Sequence, residues 1–277
     1  MTAFKTRLFA AAALSALIAA APLAAQAVGV TAVVRNNVQV TTAARPVLHK
    51  AAVRETISIG NDVVTAAQSM TQLLLLDKTS FTIGASARVK IDRFVFDPRA
   101  RQSAVSATVV KGAFRFMSGS ALNKGKERSS INTPVATIGI RGTIVEGVVG
   151  AEAIRIARAA GGVPRSLAAD PETATLIVLR GPGRNARGAA RGEIDVAAGG
   201  VTVAVEDAGM AVFIAGPGQQ PIGPFQLSGK GTSMLRALLG PRPLPGGNPG
   251  WQADPTTDRE FECSGSQRAS SGCPVID

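Results

Sequence analysis

Apolar positions recur along this chain in short runs broken by turn residues. Val33, Val38 and Val40 alternate loosely around Asn36-Asn37, which predicts two short strands joined as a hairpin. Ile57 to Val64 frames Gly60-Asn61-Asp62, and Thr71 to Leu76 has the composition of a buried strand. The polar turn Asp77-Lys78-Thr79-Ser80 returns into Phe81-Thr82-Ile83, which Gly84 ends. Val89 to Phe96 sets Val89 and Ile91 on one face at period two and stops at Asp97-Pro98. Ala104 to Val110 follows, and Lys111-Gly112 reads as a turn into Ala113 to Gly119. Ser120 to Ser130 is polar and reads as an exposed loop. Later runs are Ile144 to Val149, Leu176 to Leu179, Ile194 to Val196, Val201 to Val205 and Met210 to Ile214. A Gly/Arg-rich loop, Gly181 to Gly192, interrupts them, and Pro217 to Pro224 forms a turn-rich exit. Ala151 to Ala160 has helical composition, cut short by Gly161-Gly162 and Pro164, and Ser233 to Leu239 fits one short helix. Strand signals without convincing long helices predict an all-β chain. The expected architecture is a β-sandwich or β-solenoid-like domain with short helices after residue 150 and a disordered C-terminal tail.

The stretch Thr133-Pro134-Val135-Ala136-Thr137-Ile138-Gly139-Ile140-Arg141-Gly142-Thr143 reads as a buried strand ending in a tight turn. Thr133-Pro134 fixes an extended approach and removes a donor, while Val135, Ile138 and Ile140 fill a core. Gly139 and Gly142 permit backbone geometry or close packing that a Cβ would block. Arg141 has two readings: its planar donors satisfy carbonyls of a turn inside the fold, or they bind a carboxylate partner. Buried or half-buried arginines are usually paired within the fold, so the structural reading weighs more.

The remaining polar residues give no catalytic arrangement. Asp77, Asp92 and Asp97 sit in turns and at strand ends, where Asx capping accounts for them better than a cation site. Ser118, Ser120 and Ser130 lack a histidine or lysine at a useful spacing, and His49 is the single histidine, so a Ser-His-Asp arrangement is not expected. Gly119 to Lys126 has the wrong spacing for a phosphate loop and puts Glu127 where Ser or Thr is required. Gly181-Pro182-Gly183 lacks the third glycine of a dinucleotide fingerprint. No cofactor or metal is expected.

The first residues describe export rather than fold. Lys5 and Arg7 make a positive start, Leu8 to Ala21 is apolar, and Ala25-Gln26-Ala27 fits a cleavage site, so residues 1–27 are expected to be a signal peptide. No later apolar run is long enough to span a bilayer, and no transmembrane segment is expected in the mature chain. Cleavage near Ala27 gives a periplasmic or secreted protein and takes the net charge from +11 to +9. The basic residues are scattered and Tyr is absent, so nucleic acid is not the expected partner. The cysteines, Cys263 and Cys273, lie close together in a Gly/Ser-rich tail. In an oxidising compartment they are expected to close a small disulfide loop.

Five motifs, in order over about ninety residues, give the central region a family resemblance. They are Gly60-x-x-Val63-x-Thr65; Asp77-x-Thr79-x-Phe81-x-Ile83-Gly84; Val89-x-Ile91-Asp92-x-Phe94-x-Phe96-Asp97-Pro98; Lys111-Gly112-Ala113-Phe114-Arg115-Phe116; and Thr133 to Thr143. Together they resemble the FecR domain, the periplasmic domain of iron-dicitrate-type sensor proteins. The resemblance implies an all-β periplasmic fold and a role in sensing or protein–protein signalling, without catalysis. It makes Thr133, Pro134, Gly139, Arg141, Gly142 and Thr143 the hallmark residues. Sensor regulators of that family carry a cytoplasmic anti-sigma segment and one transmembrane helix before the domain, whereas a cleavable signal is expected here. The expected organisation is a FecR-like domain over 28–149, a continuing β region or small second subdomain over 150–227, and a flexible tail over 228–277. Two functions fit: an exported module that senses or binds another envelope protein, or a basic envelope protein that binds an anionic cell-wall or surface polymer.

Overall fold

The computed structural model describes residues 26–100, 102–119, 128–182 and 192–240. Its strands are β1 (Ala27–Arg35), β2 (Val38–Val40), β3 (His49–Lys50), β4 (Thr56–Ser58), β5 (Asp62–Thr65), β6 (Met70–Leu75), β7 (Ser80–Ile83), β8 (Arg88–Asp97) and β9 (Gln102–Met117). After these come β10 (Ser129–Asn132), β11 (Thr137–Arg141), β12 (Ile144–Val149), helix α1 (Ala151–Ala159), β13 (Thr175–Gly181), β14 (Glu193–Ala198), β15 (Val201–Val205), β16 (Met210–Ile214), β17 (Ile222–Gln226) and helix α2 (Gly229–Leu239). The expected all-β architecture with short helices after residue 150 is what the chain forms. Among the described residues no helix is long and apolar enough to cross a membrane. Most of the expected signal segment and both cysteines, Cys263 and Cys273, lie outside the described residues, as does the expected tail beyond Gly240.

The strands pair into two sheets. Sheet A runs β4-β1-β6-β7-β9-β12-β13-β16-β17 with every neighbour antiparallel. Sheet B runs β3-β2-β5-β8-β9-β10-β11-β14-β15 and is antiparallel except for the parallel pair β9–β10. Strand β9 belongs to both, pairing with β8 up to Lys111 and with β7 and β12 from Gly112 onward. The chain crosses repeatedly from one sheet to the other, so the sandwich winds in the manner of a solenoid. Strands β13 to β17 continue this winding by adding to β12 in sheet A and to β11 in sheet B.

Two sequence expectations need correction. The pair β1 and β2 is not a hairpin, since β1 pairs with β4 and β6 while β2 pairs with β3 and β5. Asn36, with φ 58°, instead throws the chain across to the other sheet. Its side-chain amide donates to the Gln68 carbonyl and the Asn37 N–H donates to the Ser69 hydroxyl, tying two corners together. Likewise Lys111-Gly112 is no turn but the bend inside β9. Gly112 has φ 82°, and a Cβ there would come within 2.3 Å of the Ala87 Cα, so only glycine lets β9 pass between sheets at this point.

Alternate residues of both sheets meet in one core. Val63, Val89, Ile91, Ile131, Ile138 and Ile140 come from sheet B, and Leu73, Phe81, Ile83, Phe114, Phe116, Ile177 and Leu179 from sheet A. Phe81 packs edge-on against Phe114 and Phe116, with centroids 6.2 and 5.5 Å apart. Gly147 leaves the room that Phe114 takes: a Cβ there would lie 2.5 Å from the ring and 2.9 Å from Ile177 Cδ1.

A second apolar layer covers the outer face of sheet A. Val148, Leu176, Val178, Ala211 and Phe213 face Ala153, Ile156 and Ala157 of α1 and Leu235 and Leu239 of α2. The Ser228 hydroxyl caps α2 by accepting the Gly231 N–H at 3.2 Å. Strand β13 is therefore buried on both faces along its whole length. The outer face of sheet B carries no such layer among the described residues.

Candidate functional site

The hallmark stretch spans a hairpin turn, one strand and the crossover between sheets. Thr133 to Ala136 form the turn between β10 and β11: the Thr133 N–H donates to the Ala136 carbonyl at 2.8 Å, and the Ala136 N–H donates to Thr133 Oγ1 at 3.0 Å. The turn thus precedes the strand as well as following it. Within β11, Ile138 and Ile140 are buried while Thr137 and Arg141 are exposed, so the strand is buried on one face. Gly142, with φ 58°, turns the chain from sheet B into sheet A. Thr143 is buried at that crossover, where its carbonyl accepts the Ser118 N–H and hydroxyl and its own hydroxyl donates to the Pro182 carbonyl. At Gly139 a Cβ would find ordinary contact with the Asp195 Cβ at 3.7 Å and φ lies outside the left-handed region, so packing does not demand glycine there.

Arg141 is half exposed and sits directly opposite Glu193 in the β11–β14 register, its Nη1 2.6 Å from the carboxylate. Beside it Arg128 pairs with Asp195 and lies 3.8 Å from Glu193. The arginine thus meets a carboxylate of its own chain on the open face of sheet B.

Asp77 is buried and closes the β6–β7 turn. Its Oδ1 accepts the Thr79 N–H at 2.9 Å, and its Oδ2 accepts the Thr79 and Ser103 hydroxyls, the latter from the start of β9. The Gly119 N–H then donates to Thr79 Oγ1, so one carboxylate locks the turn to both ends of β9. Asp97 accepts the Arg99 and Ala100 N–H groups in an Asx turn, and Asp92 accepts the Thr108 hydroxyl across β8 and β9. The Ser130 hydroxyl donates to that of Ser106, and Ser120 lies outside the described residues. Among the described residues no three His, Cys, Asp or Glu side chains converge.

His49 pairs with Glu55, Nε2 to Oε1 at 2.6 Å, while the Ala52 N–H donates to the other carboxylate oxygen. The hydrogen bond to Glu55, and then that to the Val47 carbonyl, raise the pKa of His49 above its ordinary value. Burial pushes the Glu55 carboxyl up, but the hydrogen bonds from His49 and Ala52 outweigh it and leave the group below its ordinary value.

The sequence did not single out a second buried carboxylate, as enclosed as Asp77, or the arginines that meet it. Glu146 on β12 is 2% exposed and stands opposite Arg115 of β9 on the outer face of sheet A. Arg115 reaches its Oε1 at 2.6 Å, and Arg180 of β13 places Nε 3.1 Å from Oε2, off the line of a hydrogen bond. Three adjacent strands are thereby clamped by one carboxylate. The available signal was a lone charge inside each of three apolar strands: Phe114-Arg115-Phe116, Val145-Glu146-Gly147 and Leu179-Arg180-Gly181.

Comparison with known proteins bears on the central region. No curated protein matches the chain. Two crystal structures of a candidate anti-sigma factor from Parabacteroides distasonis ATCC 8503, at 1.65 and 2.50 Å resolution, are similar to it at 9% identity with TM-scores of 0.36 and 0.38. Each alignment covers 58% of this chain and 57% of the other. The family model described as FecR protein matches residues 61–163, the segment that holds the Asp77 turn, the bend of β9 and the Thr133–Thr143 hairpin. Over those residues the chain carries a FecR domain.

Proposed function

We propose that the protein is an exported, non-catalytic module of the cell envelope that senses or regulates by binding another protein. The observation that carries this reading is the FecR domain over residues 61–163. Its motif side chains Asp77, Thr79, Thr133 and Thr143 are engaged in holding turns and crossovers together. What remains for a partner is surface: the uncovered outer face of sheet B, the loops and the free strand edges. The test is crosslinking in living cells followed by identification of the joined protein. One defined envelope protein, recovered equally at low and high salt, is the expected result. Amino-terminal sequencing of the exported form is expected to begin near Val28.

A second reading draws on the segment before and after β3. Arg45, Lys50 and Arg54 are exposed there beside the exposed Val47 and Val53, and the only acid among them, Glu55, is occupied by His49. Such a cationic end suits an anionic wall or surface polymer. Recovery of polymer instead of protein, lost as salt is raised, would replace the first reading with this one.

A further inference from the structure

A sandwich that is not a closed barrel leaves four strand edges among the described residues, and they differ in how well they are guarded. At one end lie β3, two residues long and bearing Lys50, and β4, three residues long. At the other lie β17, interrupted by Pro224 after Pro221, and β15. Proline removes an edge donor, and shortness or a lysine discourages pairing. Strand β15 has none of these devices. Its sequence, Val201-Thr202-Val203-Ala204-Val205, is uncharged, four of its five residues are β-branched, and Thr202 and Ala204 are exposed. Among the described residues only β14 pairs with it.

The register fixes what this edge offers. Gly199 and Gly200, with φ 53° and 76°, make a two-residue hairpin loop in which Ala198 faces Val201. The pair that closes such a loop exchanges hydrogen bonds, and antiparallel pairs then alternate. Val201, Val203 and Val205 therefore turn their N–H and C=O groups toward β14. Thr202 and Ala204 turn theirs outward, away from β14.

The geometry points to β15 as the site of edge-to-edge pairing with a second copy of this chain, antiparallel and centred on Val203. In that register Thr202 faces the partner's Ala204 and Ala204 faces the partner's Thr202. All the outward N–H and C=O groups of both strands are then satisfied in two hydrogen-bonded pairs. Val203 faces the partner's Val203 in the non-hydrogen-bonded position, where side chains lie closest. The strand is self-complementary in this sense: it brings no charge against itself, its valines are placed symmetrically about Val203, and each Thr202 is set against the smaller Ala204. Five residues a side bury well under the ~1,200 Å² of a stable interface, so the dimer forms only as concentration rises. Two copies of a chain that keeps a net charge of +9 without Lys5 and Arg7 repel, so salt strengthens it.

This pairing is separate from the partner reading above and is measured on purified protein alone. Sedimentation over about a hundredfold range of concentration is expected to show mass rising from one chain toward two. Ala204→Pro removes an outward N–H without touching the β14 ladder, and it should hold the protein at monomer mass with an unchanged circular dichroism spectrum. In a background with Cys263 and Cys273 changed to serine, Val203→Cys should yield a disulfide-linked dimer under mild oxidation and Val201→Cys should not, because Val201 faces the partner's Val205. A monomer at every concentration, a dimer that survives Ala204→Pro, or equal crosslinking at both cysteine positions would overturn the proposal.

Discussion

Sheet A and sheet B each carry, on the face turned away from the core, an arginine and a glutamate set directly opposite each other on neighbouring antiparallel strands. On A they are Arg115 and Glu146, and on B they are Arg141 and Glu193. The nitrogen–oxygen separation is 2.6 Å in both. What differs is the cover. The Glu146 side chain is 3% exposed and that of Arg115 14%, whereas Arg141 is 51% exposed and Glu193 33%. Identical chemistry in one register is a structural necessity on the covered face and a solvated pair on the open one. In water the attraction is screened and largely offset by side-chain entropy, while a buried charge that loses its partner keeps its desolvation cost.

The largest effect should therefore come from breaking the covered pair. Glu146→Ala leaves Arg115 and Arg180 without their shared carboxylate and is expected to cost about 3–5 kcal/mol in denaturant unfolding. Replacing all three together, Arg115→Met, Glu146→Leu and Arg180→Met, should restore most of that loss, since no charge is then stranded. If the single substitution were as mild as one on sheet B, the distinction between the faces would collapse. Next comes the cover itself. Ile156 of α1 is fully buried against the outer face of sheet A, and Ile156→Ala is expected to cost about 2–5 kcal/mol by leaving a cavity. Exchange of the β12 and β13 amides should rise with it, as the helix no longer seals them.

How far these two faces could be read from sequence follows from the same contrast. Period-two alternation in β8 marked one buried face, whereas β11 read as a buried strand although only Ile138 and Ile140 on one of its faces are enclosed. The Thr133–Thr143 hairpin and the Asp77 turn were legible as motifs. The lone charges Arg115, Glu146 and Arg180 were not legible as a site, because their pairing depends on which strands become neighbours. Thirty-one residues separate Arg115 from Glu146. Hairpin logic also failed at Asn36-Asn37, where two strands adjacent in sequence go to different sheets, and at Gly112, where a positive φ bends a strand instead of ending it. Local turn chemistry gives the direction change but not its destination.

On the open face, Arg141→Ala is expected to cost less than about 1 kcal/mol at low salt and nothing measurable at high salt, because both groups are well hydrated. Arg141→Lys should be closer still to the parent in thermal unfolding. A loss on the scale of Glu146→Ala would mean that the pair is covered in solution by something absent from the isolated chain, and would mark this face as an interface.

The smallest expected effect tests the same contrast by pH. His49 and Glu55 form an ion pair between the two outer faces in exposure, with side chains 17% and 20% exposed. The raised pKa of His49 makes its share of the stability fully present below the ordinary histidine pKa, and that share is lost as pH rises through the elevated folded value. The lowered pKa of Glu55 works the other way, with a share that is present above the ordinary carboxyl value and is lost as pH falls through the depressed folded one. The pair should therefore contribute most between about pH 4.5 and 6.5, by less than about 1 kcal/mol. A parent-minus-His49→Gln difference in unfolding free energy, plotted against pH, should be largest in that window and fall on its alkaline side. A flat difference would show that the Ala52 N–H and the Val47 carbonyl hold this turn whatever the charge on the ring, and would place the pair with the solvated arginines of sheet B.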